Sequence, residues 1–327
     1  MILKLLLAFF ISLAVSVAAG LVFIPMLRRM KVVQSIQEDG PVWHLSKQGT
    51  PTMGGIIFIS GIIVASLIAG FNELKEGNLT HIYALIFALV FALIGFLDDY
   101  AKLKKKQNLG LTAKQKFALQ LAAACVFVLI MDFTGNLTTN VYIPFVNVTF
   151  AIPAILYYVF AAFVIIGTVN AVNLTDGVDG LSSGVTIPVA IVFCLIALLW
   201  NDTANGVFAA AIAGGLVAFL FFNFNPAKVF MGDTGSLFLG GAVCALAFSM
   251  DMPLILITLG FVYFVVTLSV IIQVSYFKLT KGKRVFKMAP IQHHFEMCGW
   301  SEHKIFVVFT TVSAIFAAIS YLGVMNW

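Results

Sequence analysis

His81-Ile82-Tyr83-Ala84-Leu85-Ile86-Phe87-Ala88-Leu89-Val90-Phe91-Ala92-Leu93-Ile94-Gly95-Phe96-Leu97 runs without a formal charge and then meets Asp98-Asp99-Tyr100-Ala101-Lys102. An apolar run of this length reads as a membrane span. Two carboxylates at its end are costly, because lipid cannot replace the hydration they lose. Carboxylates kept at such a place hold a metal, relay protons or bind a cationic partner. The surrounding chain repeats the first half of this pattern. Of 327 residues 61% are hydrophobic and 10% charged, and the mean hydropathy of +1.05 excludes an ordinary water-soluble domain.

The sequence predicts an all-α integral membrane protein of about ten spans in one domain, residues 1–327. The spans fall near Ile2–Pro25, Met53–Gly70, His81–Leu97, Phe117–Phe133, Ala151–Val169, Val185–Trp200, Gly206–Phe222, Leu237–Met250, Leu254–Phe277 and Ile305–Trp327. Lys and Arg accumulate in cytoplasmic loops. Here they follow the first span (Arg28, Arg29, Lys31) and the third (Lys102, Lys104, Lys105, Lys106, Lys114, Lys116), and they flank the last connection (Lys278, Lys281, Lys283, Arg284, Lys287, Lys304). The other side carries Lys75 among Glu73, Glu76, Asp132, Asp202 and Asp251. This bias predicts both termini outside and the basic loops in the cytoplasm.

A cleaved signal peptide is the rival reading of the first span, but its basic cluster follows the apolar run and favours a retained anchor. The net charge of +5 therefore reports topology and attraction to anionic lipid or phosphate. No aromatic–basic stripe of a nucleic-acid surface is present. Cys125, Cys194 and Cys244 fall within spans and Cys298 in a basic loop, with no disulfide or Cys-x-x-Cys spacing. Alternation in Val141-Tyr142-Ile143-Pro144 and Val146-Asn147-Val148-Thr149 suggests a short outside hairpin within Thr134–Phe150.

Four polar segments share the cytoplasmic side by the charge rule. In the first, helical extension puts Asp98 and Lys102 on one face and turns Asp99 about 100° away, so the two acids can play different parts. The second, Asn170-x-x-Asn173-x-x-Asp176-Gly177-x-Asp179-Gly180, places amides and carboxylates at three-residue spacing into a glycine-broken turn. It lacks the ligand pattern of an EF-hand. The third, Asn223 to Ser236 with Phe230-Met231-Gly232-Asp233-Thr234-Gly235, sets an acid at a helix start but is no Walker loop. The fourth, Met288-Ala289-Pro290-Ile291-Gln292-His293-His294-Phe295-Glu296, follows Lys281-Gly282-Lys283-Arg284, and no zinc pattern surrounds its histidines. A further segment, His44 to Gly55 with Lys47, suits phosphate or nucleotide contact.

Bland alternatives exist for each: interfacial caps, polar turns, a helix-entry turn, a headgroup-binding patch. Together, carboxylates, amides, glycine turns, lysines and histidines at one face fit metal-assisted phosphoryl transfer. A transporter places its polar groups near the bilayer midplane. Here the middles of the spans are nearly free of charge.

These motifs, with Pro51-Thr52-Met53-Gly54-Gly55, resemble the polyprenyl-phosphate N-acetylhexosamine-1-phosphate transferase superfamily, and within it the phospho-N-acetylmuramoyl-pentapeptide transferases of peptidoglycan synthesis. The resemblance covers essentially the whole chain. It implies ten transmembrane helices, a homodimer in the bacterial cytoplasmic membrane and an active site on the cytoplasmic face. It also implies Mg²⁺-dependent transfer from UDP-MurNAc-pentapeptide to undecaprenyl phosphate, giving lipid I and UMP.

Carried onto this chain, Asp233 is the metal ligand, with Asp98 and Asp99 near the metal and acceptor phosphate and Asp98 the candidate base. Lys102 and Lys114 stabilise phosphates. Lys47, Asn170, Asn173, Asp176, Asp179, Asn223, Phe230 and Gln273 shape the donor pocket, with His293 and His294 beside it. Where the family commonly has three successive histidines, the first position here is Gln292. A relative using UDP-GlcNAc or another sugar, and a transporter of a lipid-linked or nucleotide substrate, are the alternative readings.

Overall fold

The computed structural model describes residues 1–30, 32, 47–105 and 109–325; Lys31, Lys106 and the His44–Ser46 part of the first loop lie outside these. The chain runs through α1 (Ile2–Arg29), α2 (Gly55–Ala69), α3 (Phe71–Lys75), α4 (Thr80–Lys105) and α5 (Ala113–Phe133). A hairpin follows, β1 (Asn140–Ile143) and β2 (Val148–Ala151), paired antiparallel with Val141 opposite Phe150. Then come α6 (Ala154–Thr175), α7 (Leu181–Trp200), α8 (Thr203–Asn223), α9 (Gly232–Ser249), α10 (Leu256–Leu259), α11 (Phe261–Leu279), α12 (Ile291–Glu296) and α13 (Glu302–Leu322).

Among the described residues nine helices are long and apolar enough to cross a membrane, and the shorter apolar α2 makes a tenth candidate. At about 1.5 Å per residue, α2 falls short of a ~30 Å hydrocarbon core; the short α3 follows after Gly70. This is the all-α membrane architecture expected, with the small hairpin in place.

Boundaries shift at three points that matter. The predicted third span does not stop at Leu97, because the helix carries Asp98, Asp99 and Lys102 through to Lys105. The eighth starts at Gly232 rather than Leu237, which brings Asp233 and Ser236 into the first turns of α9. The ninth is broken: Pro253 opens a short 3₁₀ turn, α10 follows, and only after Gly260 does α11 run on.

The centre of the bundle is α8 and α9, in which 78% and 83% of the apolar window is buried, whereas α11 buries 22% and turns most of its surface outward. Small residues make that centre possible, since helices in lipid associate by close packing rather than by expelling water. A Cβ on Gly95 of α4 would lie 2.1 Å from the Asp233 carbonyl oxygen, and one on Gly55 of α2 would lie 2.3 Å from Gly235 Cα. Backbone therefore touches backbone where α2 and α4 meet the start of α9. Gly232 has φ +72°, the left-handed region that favours glycine, and launches α9 at this seam.

The ends of the helices sort into two layers. At one end Lys4 pairs with Glu73 at 2.8 Å, the Thr138 N–H donates to Asp251, and the Tyr142 hydroxyl donates to the Gly323 carbonyl. The opposite end collects the C-termini of α4, α6, α8 and α11 and the N-termini of α2, α5, α7, α9 and α13. All four polar segments lie there.

Candidate active site

Three carboxylates meet at the seam of α4 and α9. Ligand oxygens of Asp98, Asp99 and Asp233 lie within 4.8 Å of one another. Asp98 and Asp99 are each 3% exposed, so their charges have to be met by protein. Lys102, one turn after Asp98, meets Asp98 Oδ2 at 2.7 Å, Asp233 Oδ2 at 3.0 Å and Asp99 Oδ1 at 3.6 Å. Lys116 Nζ reaches the same Asp233 oxygen at 2.8 Å. Asn173, at the end of α6, donates to Asp233 Oδ1 at 2.9 Å and to the Ser236 hydroxyl at 2.8 Å.

The neighbouring acids face different ways, as helical spacing predicts. Asp98 accepts the Leu111 N–H at 2.8 Å and so fixes the turn that leads into α5. Asp99 points at the start of α9, accepting from the Asp233 N–H at 3.2 Å, the Thr234 N–H at 2.9 Å and the Thr234 hydroxyl at 2.8 Å. It is the N-terminal cap of a helix that begins 133 residues later. A helix start offers unpaired N–H groups and a positive dipole end, both of which a buried carboxylate satisfies.

Lys114 is exposed on α5. It is Lys116, two residues on, that reaches the cluster, because the Thr112–Gln115 capping box fixes where α5 starts and which face it presents. Position 116 belongs to the basic run visible in the sequence, but which lysine points inward depends on the direction of α5.

A second network ties four segments together. Lys47 Nζ meets Asp179 Oδ1 and Glu302 Oε2, each at 2.7 Å. Burial works against its charge, but the two carboxylates outweigh it and hold the ammonium above its ordinary range. Asp179 Oδ2 accepts from Asn225 and from the Ala227 N–H. Asn223 accepts the Gly180 N–H at 3.0 Å and donates to the Val229 carbonyl at 2.9 Å. Phe230 uses its backbone, donating to the Pro51 carbonyl and accepting from Gly54, and its ring is half-buried. Asp179 and Asn223 thus tie the loop after α6 to the loop before α9. Glu302 was not singled out from sequence; its signal was an acid among basic residues at the start of the last helix.

The third group frames α12. Gln273 accepts the N–H groups of Val285 and Phe286 and donates to the Phe286 carbonyl, pinning the connection after α11. His294 Nδ1 accepts the Lys287 N–H at 3.1 Å. His293 pairs through Nδ1 with Glu296, and its Nε2 lies 2.8 Å from where a Cβ on Gly177 would sit. Gln292 is fully buried and donates to the Leu174 carbonyl at 2.8 Å. It therefore fastens α12 to the end of α6, beside His293 at Gly177.

Asn170 lies one turn deeper on α6 and donates to Gln120 at 2.7 Å, away from the carboxylates. Asp176 follows α6 directly. It is partly accessible to water, yet its recessed position, with Asp233, Asp99 and Asp179 adding like charge, pushes its carboxyl up to about 8.

The donor set suits a small hard cation: three carboxylates from two helices, with an ammonium already lodged between Asp98 and Asp233. Lysines over the same oxygens suit phosphate. Such an arrangement can align two phosphate groups and absorb the charge that moves between them.

Comparison with known proteins agrees with this chemistry. The glycosyl transferase family 4 model matches residues 81–251, and phospho-N-acetylmuramoyl-pentapeptide-transferase signature 1 matches residues 47–59. The chain is similar to the phospho-N-acetylmuramoyl-pentapeptide-transferase of Clostridium acetobutylicum, with 45% identity over 96% of this chain and 97% of the relative. It is 47% identical to that of Heliobacterium modesticaldum over 98% and 97%, and 46% identical to that of Bacillus cytotoxicus over 96% of each. Identity at that level over nearly the whole length of both chains makes this multi-pass membrane protein an enzyme of the phospho-N-acetylmuramoyl-pentapeptide transferase family.

Proposed function

We propose that the chain transfers phospho-N-acetylmuramoyl-pentapeptide from UDP-MurNAc-pentapeptide to undecaprenyl phosphate, giving lipid I and UMP in peptidoglycan synthesis. A phosphate oxygen of the lipid attacks the sugar-bearing phosphorus of the donor. The bond from that phosphorus to the bridging oxygen breaks, and the oxygen leaves with UMP. The observation that carries the reading is the meeting of Asp98, Asp99 and Asp233 beneath Lys102 and Lys116 at one end of a membrane bundle.

Asp233, with Asp98 beside it, would hold the cation, which we assign as Mg²⁺. When bound, that cation neutralises charge on the diphosphate being cleaved. Lys102 keeps Asp98 and Asp233 at fixed spacing and lies within reach of phosphate oxygens. Both oxygens of Asp98 have partners, and a lipid phosphate is largely ionised near neutrality, so orientation matters more here than proton removal. Asp99 acts on the chemistry through Asp233, by fixing the helix start that carries it.

Lys47, Asp176, Phe230, Asn173, His293 and His294 line the way to the donor. Asp179, Asn223 and Gln273 hold the loops that present them. We place the site on the cytoplasmic face of the bacterial plasma membrane, supported by the lysines and arginines at that end. The homodimer is carried over from the family resemblance, and native mass in detergent reads it.

The test is product identification in detergent from UDP-MurNAc-pentapeptide and undecaprenyl phosphate, with and without Mg²⁺. UMP and a lipid-linked monosaccharide pentapeptide are expected only when all three are present. Faster turnover of UDP-GlcNAc would assign a different sugar, and no UMP release at all would leave transport as the better reading.

A further inference from the structure

One oxygen of the proposed metal ligand carries two ammonium groups. Lys116 meets Asp233 Oδ2 at 2.8 Å and Lys102 meets it at 3.0 Å. The two lysines are not equivalent. Lys102 also pairs with Asp98 at 2.7 Å and Asp99 at 3.6 Å, so it keeps partners if Asp233 is taken from it. Among the ion pairs of the described residues, Lys116 is joined to Asp233 alone.

The charge balance shows why this matters. Three carboxylates and two ammoniums leave one net negative charge. A divalent cation added to both lysines would place three cationic centres on a few shared oxygens, with little water between them to screen the repulsion. One lysine has to leave, and among the described residues Lys116 is the one with no second carboxylate to hold it.

We propose that Lys116 is the resident counter-ion of the metal site: it neutralises Asp233 before the cation arrives, is displaced when the cation binds, and then pairs with the donor's phosphate. This rests on reading Asp233 as the metal ligand. It gives Lys116 a positioning part distinct from that of Lys102. Two buried carboxylates and a half-buried third can sit together because Lys116 supplies part of the charge a metal would bring. The donor diphosphate then supplies the negative charge that Lys116 gives up.

The test is Mn²⁺ binding to the purified full-length protein without substrate, read from the electron paramagnetic resonance of free Mn²⁺. Lys116→Gln should lower the half-saturating Mn²⁺ concentration by about tenfold, the scale of removing one poorly screened opposing charge. Lys116→Arg, which keeps a cation on Asp233, should stay within about twofold of the unaltered protein. Lys105→Gln removes an exposed charge from the same end of α4 and should also shift binding less than about twofold, as screened surface charges do.

A second measurement needs no variant. Divalent cation should raise the rate at which Lys116 of the unaltered protein reacts with an amine-directed ester, read by peptide mass spectrometry. Unchanged or weaker Mn²⁺ binding in Lys116→Gln, or a Lys116 reactivity indifferent to cation, overturns the proposal. If the protein binds no Mn²⁺ that Asp233→Asn abolishes, the metal reading of Asp233 fails first and this one with it.

Discussion

Replacing Asp99 tests whether this acid works as a helix cap or as a metal ligand in its own right. Asp99→Ala removes the acceptor for three donors: the N–H groups of Asp233 and Thr234 and the Thr234 hydroxyl. Loss of an N-terminal cap costs about 1–2 kcal/mol, and leaving buried donors unpaired costs about 1–3 kcal/mol for each group that finds no substitute. Against this, Asp99 sits within 4.8 Å of two like-charged carboxylates, and removing it relieves repulsion. The net expectation is a destabilisation of about 2–4 kcal/mol, a fall of several degrees in the unfolding midpoint.

The diagnostic is a double-mutant cycle with Thr234→Ala, followed by thermal unfolding in detergent with EDTA present. The coupling between the two changes should be about 0.5–1.5 kcal/mol, since the Thr234 hydroxyl bond to Asp99 is the one contact both delete, while the two N–H bonds are lost only with Asp99. Activity of Asp99→Ala should fall mainly through the turnover number, because Asp233 is displaced along with the helix start. Additive effects on stability would remove the hydroxyl contact from the account, and an Asp99→Ala protein as stable as the unaltered one would refute the capping account and return Asp99 to the metal.

Asp233→Asn should depress transfer by on the order of 10²–10⁴ across a Mg²⁺ titration while the protein stays folded; full activity at low Mg²⁺ would remove Asp233 from the cation. Asp176, pushed up to about 8 when folded against an ordinary value near 3.8, binds a proton more readily folded than unfolded, so its contribution to stability declines as pH rises between those values. Asp176→Asn should therefore raise the unfolding midpoint in EDTA at pH 8 and have little effect near pH 4, and a pH-independent difference would contradict the assignment. Gln292→His should keep much of the activity, since an imidazole N–H can replace the donor to Leu174, whereas Gln292→Leu should lose stability by about 1–3 kcal/mol, measured by thermal unfolding. Cys298 is exposed beside α12, so a membrane-impermeant thiol reagent should label it in inside-out vesicles and spare it in right-side-out ones; the reverse pattern would invert the topology.

What could be read from the sequence was what spacing along one helix determines. Asp98 and Lys102, four apart, pair as expected, and Asp99 diverges as expected. The spans were legible from hydropathy, and the hairpin from alternation. Contacts between distant segments were not legible. Asp99 as the cap of α9 depends on α4 and α9 touching, which Gly95 and Gly232 allow but do not announce. The choice of Lys116 over Lys114 depends on the direction in which α5 leaves its capping box. Gln292 was visible as a departure, yet nothing in its neighbours tells that its side chain turns back to Leu174. The break within the span read as Leu254–Phe277 falls at Gly260, a lone glycine whose signal is hidden by the apolar residues on both sides.

The contact between α4 and α9 also sets an order of events during synthesis. Asp98 and Asp99 enter the bilayer edge with the fourth helix, long before the segment that will receive them has been made. Until Gly232 to Ser236 is threaded into place, the cation of the same helix that pairs with the two acids is Lys102, one turn away. The nascent half-protein therefore carries acids still open to water at the membrane surface, and lateral docking of α9 closes them off. Because the docking helix is among the most deeply enclosed in the bundle, closing the carboxylate cluster and seating the centre of the membrane core are the same step.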